Sequence, residues 1–136
     1  MITVIDTNVL ARFLIGDDPA QEKKAQAIFA KAKKIVIPTI IFCELSWVMS
    51  AVYKQPGSVI ANAMRGILNI GNVEAKTDEI EAGLKMIDSG GDFADGVIAY
   101  TGGVMAGEPS TFVSFDKQAV RKLSANGLSA MDAAGF

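Results

Sequence analysis

Short β-branched runs alternate along the chain with longer stretches in which apolar residues recur at helical spacing. Ile2 to Ile5 is such a run, stopped by Asp6-Thr7-Asn8, and predicts a buried strand feeding a turn. Val9 to Ile15 fits a short helix. After Gly16-Asp17-Asp18-Pro19 a second helix is expected from Ala20 to about Lys34, with charge along an exposed face. Ile35-Val36-Ile37 predicts the second strand. Thr39 is placed to cap a helix reaching about Lys54, and Pro56-Gly57-Ser58 to start another that ends near Asn69. Val73-Glu74-Ala75 is a weaker strand. Thr77, followed by Asp78 and Glu79, opens a helix that stops at Ser89-Gly90-Gly91. Asp92 opens the next, to about Met105. Thr111 to Phe115 predicts a strand, Asp116 starts a charged helix, and Leu128 to Ala130 can form a last short strand.

Strands separated by helices of this length predict parallel pairing through right-handed crossovers. The expectation is therefore an α/β chain, a three-layer α/β/α arrangement around a central parallel sheet, formed as one domain over residues 1–136. In such sheets ligands bind beyond the carboxyl ends of the strands. Ile35 to Tyr53 has Glu44 as its only charge and approaches the length of a membrane span. Pro38-Thr39 divides it into strand and helix, and a carboxylate in mid-bilayer would be costly, so no membrane association is expected.

Composition narrows the chemistry. Half the residues are apolar, which suffices for a sizeable core. Thirteen Lys and Arg against fifteen Asp and Glu give a net charge of −2, so any attraction to a polyanion must be local. Cys43 is the single cysteine and lies in an apolar run, which excludes a disulfide framework and suits packing in a reduced compartment. The first residues carry no basic segment ahead of a signal-length apolar run, and a cytoplasmic location is expected. There is no histidine. That removes the usual zinc ligand sets, Ser-His-Asp and Cys-His catalysis, and any ribonuclease mechanism with a histidine acid and base.

Acidic residues are the remaining candidates. Asp6 and Asp116 each fall where an apolar strand stops, so either can cap the following helix or present a carboxylate at the strand ends. Glu44 has Ile40 and Trp47 as helical neighbours, with Ile41 and Val48 beside them, and is expected on a buried apolar surface, paired, protonated or bound to a cation. The capping box of Thr39 would need its acid at Phe42, so Glu44 does not serve it. Trp47 is assigned to the core. Asp95 stands in the first turn of the helix opened by Asp92, where the dipole favours an acid, yet Ile98, Ala99 and Gly102 on its face predict that it points inward. Four converging acids would repel one another unless a hard divalent cation such as Mg²⁺ or Mn²⁺ neutralised them.

The segments Val4-Ile5-Asp6-Thr7-Asn8-Val9-Leu10, Glu44 on the helix after the second strand, Asp92-Phe93-Ala94-Asp95-Gly96-Val97-Ile98-Ala99 and Ser114-Phe115-Asp116-Lys117 together resemble a PIN domain over nearly the whole chain. The first and third are particularly similar to VapC toxins. This resemblance implies Mg²⁺- or Mn²⁺-dependent cleavage of RNA, a homodimer, and inhibition by a cognate VapB-like antitoxin. It places the catalytic, metal-holding acids at Asp6, Glu44, Asp95 and Asp116, with Asn8 and Ser114 as supporting groups and Asp92 as either cap or supplement. Gly96 departs from the pattern, which commonly has a helix former there, and Gly102-Gly103 is expected to loosen the same helix.

One or two ions, roughly 4 Å apart if two, would then activate water against a phosphodiester and leave 5′-phosphate and 3′-hydroxyl ends. Lys23, Lys24, Lys31, Lys33 and Lys34 form a basic cluster, and Arg12, Arg65, Lys117, Arg121 and Lys122 are further candidates for phosphate contact. Three rivals are weaker. A receiver-like signalling domain needs an acid ending its third strand, a dehalogenase-type phosphotransferase needs Asp-x-Asp where this chain has Asp6-Thr7-Asn8, and a catalytically silent PIN domain would not need the full acidic set.

Overall fold

The computed structural model describes all residues from Met1 to Phe136 and divides them into two compact units, Met1–Thr77 and Asp78–Phe136. In the first unit β1 (Ile2–Val4), α1 (Thr7–Leu14), α2 (Pro19–Lys31), β2 (Lys34–Val36), α3 (Thr39–Ala51), α4 (Gly57–Leu68) and β3 (Val73–Glu74) follow in order. The strands form a parallel ladder ordered β1-β2-β3, in which Val4 pairs with Val36 and Ile35 with Val73. Its buried residues include Ile5, Leu10, Ile35, Ile37, Phe42, Leu45, Met64 and Ile67. Phe13 of α1 stacks on Phe29 of α2 with ring centroids 3.9 Å apart.

The second unit holds α5, which begins at the junction (Thr77–Asp88), α6 (Phe93–Ala106), β4 (Phe112–Ser114), α7 (Lys117–Ala125) and β5 (Ala130–Asp132). β4 and β5 pair in parallel, Ser114 opposite Asp132. Ile80, Leu84, Met86, Phe93 and Leu123 are buried. Every strand pairing in the protein is parallel, and helices separate the strands, which is the α/β architecture the sequence predicts.

Element ends follow local chemistry. Asp18 accepts the Gln21 N–H at the start of α2, with Pro19 in the first turn where its missing donor costs nothing. α5 stops as a Schellman turn: Gly91 N–H bonds to Met86 O at 2.7 Å and Gly90 N–H to Ile87 O at 2.8 Å, with Gly90 at φ +81°, a conformation that favours glycine.

Three expectations are corrected. Thr39 is not the cap of α3; Pro38 holds that position and Thr39 is the first helical residue, because the fixed φ of proline already suits the entry. β1 is not a fully buried strand: Ile2 and Val4 are 58% and 68% exposed, while Ile5, just past its end, is buried. Trp47 is not in the core but 66% exposed, on the same side of α3 as the exposed Ile40, because the helix buries Phe42, Leu45 and Met49 instead. No helix is long and apolar enough to cross a membrane.

Candidate active site

Asp6 and Asp116 each lie two residues beyond the end of a strand, β1 and β4, and each caps the helix that follows. Asp6 Oδ1 accepts the Val9 N–H at 3.0 Å. Asp116 Oδ1 accepts from Gln118 and Ala119 at 3.0 and 3.1 Å. Asp92 does the same for α6, accepting the Asp95 N–H at 3.2 Å. In all three the cap engages Oδ1 and leaves Oδ2 for another ligand, so cap and ligand are compatible roles for one carboxylate.

In the first unit Glu44 is exposed on α3, contrary to the expectation that it is buried, and the apolar neighbours Ile40 and Trp47 that prompted that expectation are exposed with it. Its carboxylate is oriented: Thr7 Oγ1 donates to Glu44 Oε2 at 2.6 Å. Thr7 is the one buried polar residue of the chain, and its short bond to an ionised acceptor is of the stronger, charge-assisted kind. Thr7 was not among the sequence candidates; its place between Asp6 and Asn8, on the first turn of α1, is the signal that could have found it. Asp6 and Asn8 line a cleft of about 250 Å³ between α1 and α2 with Arg12 and Lys24. Arg12 is already engaged: its Nη1 contacts Asp17 Oδ1 at 2.7 Å and its Nε donates to Gln21 at 2.8 Å, while Tyr53 donates to Asp17 Oδ2 at 2.9 Å. These bonds hold the Asp17 carboxyl below the usual range, the Arg12 contact first and the Tyr53 contact next.

In the second unit Asp92, Asp95 and Asp116 line one cleft of about 390 Å³, with Gly90, Gly91, Gln118 and Lys122. Partial burial pushes the Asp95 carboxyl up, and the charges of Asp92 and Asp116 push it further. Ser114 Oγ accepts the Asp116 backbone N–H at 3.0 Å, supporting the turn that presents the carboxylate rather than touching the carboxylate itself. Lys122 Nζ donates to Ser89 O at 2.7 Å and forms no ion pair with the acids. Within neither unit do three acidic side chains converge on one point as a metal cage would require. The donor chemistry nonetheless fits a hard divalent ion: the site residues offer carboxylate oxygens, and the Asp95 carboxyl is held above its usual range by partial burial and then by its acidic neighbours.

Comparison with known proteins places these residues in a family. The model of the PIN domain matches residues 3–122. No curated protein matches. Among solved structures, the chain is similar to a crystal structure of VapBC2 from Rickettsia felis bound to a DNA fragment from their promoter, at 17% identity and TM-score 0.38, over 97% of this chain and 98% of that one.

Proposed function

The chain belongs to the PIN domain family, and from that premise we propose that it is a metal-dependent endoribonuclease, the toxin of a VapBC-type toxin–antitoxin pair. The family match counts against the receiver-like and dehalogenase-type alternatives. The toxin reading rests on the motif blocks around Asp6 and Asp95, which are similar to those of VapC toxins. Its partners would be an RNA substrate, a VapB-like antitoxin and a second copy of the chain, acting in the cytoplasm as a single PIN domain.

Asp6, Glu44, Asp95 and Asp116 would hold Mg²⁺ or Mn²⁺. When bound, the ion supplies a water acidic enough to act as nucleophile near neutral pH and positive charge for the departing oxygen. The other residues set the stage. Thr7 fixes the direction of the Glu44 carboxylate, Ser114 fixes the turn carrying Asp116, and Asp92 fixes the first turn of α6 and with it Asp95. Asn8 shares the α1–α2 cleft with Asp6 and is a further group for orienting substrate or carboxylate.

The observation that carries this reading is the shared cleft of Asp92, Asp95 and Asp116, where partial burial first and the two neighbouring negative charges next hold the Asp95 carboxyl above its usual range. A catalytically silent binding domain would have no need to keep that strain. The test is cleavage of a bulk tRNA and rRNA mixture by purified protein in EDTA, Mg²⁺ or Mn²⁺, beside Asp6→Asn. Cleavage is expected only with metal, only by the parent, and with 5′-phosphate and 3′-hydroxyl ends. Cyclic phosphate ends, or cleavage that survives EDTA and Asp6→Asn, would sink the mechanism.

A further inference from the structure

Lys122 occupies an unusual position for a lysine. It lines the same cleft as Asp92, Asp95 and Asp116, yet it makes no ion pair with any of them. Its ammonium is instead tethered to Ser89 O at 2.7 Å, the carbonyl at the end of α5. The tether has a local reason: the last carbonyls of a helix lack partners, and a cation there also meets the negative end of the dipole. It has a second consequence. An ammonium carries three N–H donors, and the Ser89 carbonyl takes one, so two are left at the cleft wall. Lys122 comes from α7, the helix capped by Asp116, while Ser89 leads through Gly90 and Gly91 to Asp92 and Asp95. The lysine therefore spans the two segments that carry the acids of this unit, and Gly90 leaves room for it: a Cβ there would meet Lys122 Nζ at 3.3 Å.

We infer that Lys122 is a substrate-phosphate ligand, donating to a non-bridging oxygen of the RNA backbone in the Asp92/Asp95/Asp116 cleft. The inference rests on the nuclease reading above and adds a residue to it. An acid-lined cleft repels RNA, and a positive charge that the acids do not consume offsets this where the phosphate must sit. Lys122 is partly buried, whereas most of the cluster Lys23, Lys24, Lys31 and Lys33 is exposed on and just after α2 in the other unit. An ammonium also suits the task as a compact point charge with rotatable donors, adaptable to a backbone of any sequence.

The test is binding of a fluorescent single-stranded RNA of mixed sequence in Mg²⁺, measured against salt in an Asp6→Asn background so that the probe is not cut. Lys122→Met, Lys122→Gln and Lys122→Arg are compared there, each checked for its thermal midpoint. A single phosphate contact contributes about 0.7 to the slope of log K against log salt on single strands. Lys122→Met and Lys122→Gln are expected to lose about that much slope and to bind several-fold more weakly at low salt, while Lys122→Arg retains both. A purely structural tether would change stability and leave the slope alone. Lys122→Gln retains an N–H donor for Ser89 O, so the comparison survives even if Lys122→Met does not fold. An unchanged slope in Lys122→Gln, with metal-dependent cleavage by the parent protein intact, overturns this inference alone. No RNA binding and no cleavage by any form overturns the nuclease reading and this inference with it.

Discussion

At the scale of single residues, the sequence posed cap against ligand for Asp6, Asp92 and Asp116, and the structure shows the cap at all three. Each carboxylate caps with Oδ1, which restrains the side chain and leaves Oδ2 outside the cap. The caps were legible because strand ends and helix starts are local features. Glu44 and Trp47 were misread for the opposite reason. α3 is apolar on more than one side, so its sequence does not tell which side is covered, and Ile40 at 63% exposure shows that the chosen side was the open one. Thr7 was missed because a buried hydroxyl declares itself only through its partner, thirty-seven residues away at Glu44. Asp95 yields a prediction in which stability and function separate. Its folded carboxyl prefers the proton more than it would when unfolded, so the folded state binds more protons and stability falls as pH rises from the ordinary carboxylate range through the raised value. Asp95→Asn removes that penalty. In EDTA its thermal midpoint should equal or exceed the parent's, with an advantage that grows as pH rises through that window and then levels off. Its RNA cleavage in Mg²⁺ should fall roughly 100-fold or more, since even a group that only supports a metal ligand is worth 10–100-fold. A variant that melts earlier than the parent above the window would refute the strain at Asp95.

At the scale of elements, nearly every helix and strand was readable from period and punctuation, with ends displaced by a few residues at most. What period could not reveal is how closely helices approach. Gly96 looks like a weakness in α6, yet it is buried, and a Cβ there would lie 2.5 Å from Ala82 O and 2.6 Å from Met86 Cγ of α5. Gly83 has the matching role on α5, where a Cβ would run into the buried Phe93 ring. Both glycines trade helix propensity for close packing of α5 against α6, and that packing carries Asp95 at its start. Gly102, on the same helix, has nothing within 4 Å of a Cβ and is exposed. The two positions should therefore respond oppositely to the same change. Gly102→Ala is expected to stabilise by about 1 kcal/mol, the propensity difference. Gly96→Ala gains the same propensity but meets a backbone carbonyl that cannot turn away. Overpacking costs about 1–3 kcal/mol, so a net loss is expected. Urea midpoints decide it: stabilisation by Gly96→Ala would show that α5 and α6 are not in the contact described, and loss in Gly102→Ala would show that the second half of α6 is constrained by something else.

At the scale of the whole molecule, the sequence predicts a single domain, while the fold comprises two units, each with its own parallel ladder. Hydrophobic patterning could not anticipate that division, because the crossover rules that predict parallel pairing say nothing of which strands share a ladder. The PIN match from residue 3 to residue 122 runs straight through the junction at Thr77 and Asp78, so the family's domain draws on both units. Size argues the same way. Chains below roughly 70–80 residues seldom gain more than about 3–5 kcal/mol from a single core without a disulfide or metal. The second unit is shorter than that, has one two-stranded ladder, and contains no cysteine. An isolated pair of strands is marginal in water and depends on what packs against it. The two units are therefore expected to unfold together. Calorimetry of the metal-free protein should give one transition whose van't Hoff and calorimetric enthalpies agree, with urea unfolding followed by Trp47 fluorescence, which reports from the first unit, coinciding with unfolding followed by far-UV circular dichroism, which reports from both. Two resolved transitions, or a fluorescence midpoint apart from the dichroism midpoint, would make Met1–Thr77 and Asp78–Phe136 independent bodies.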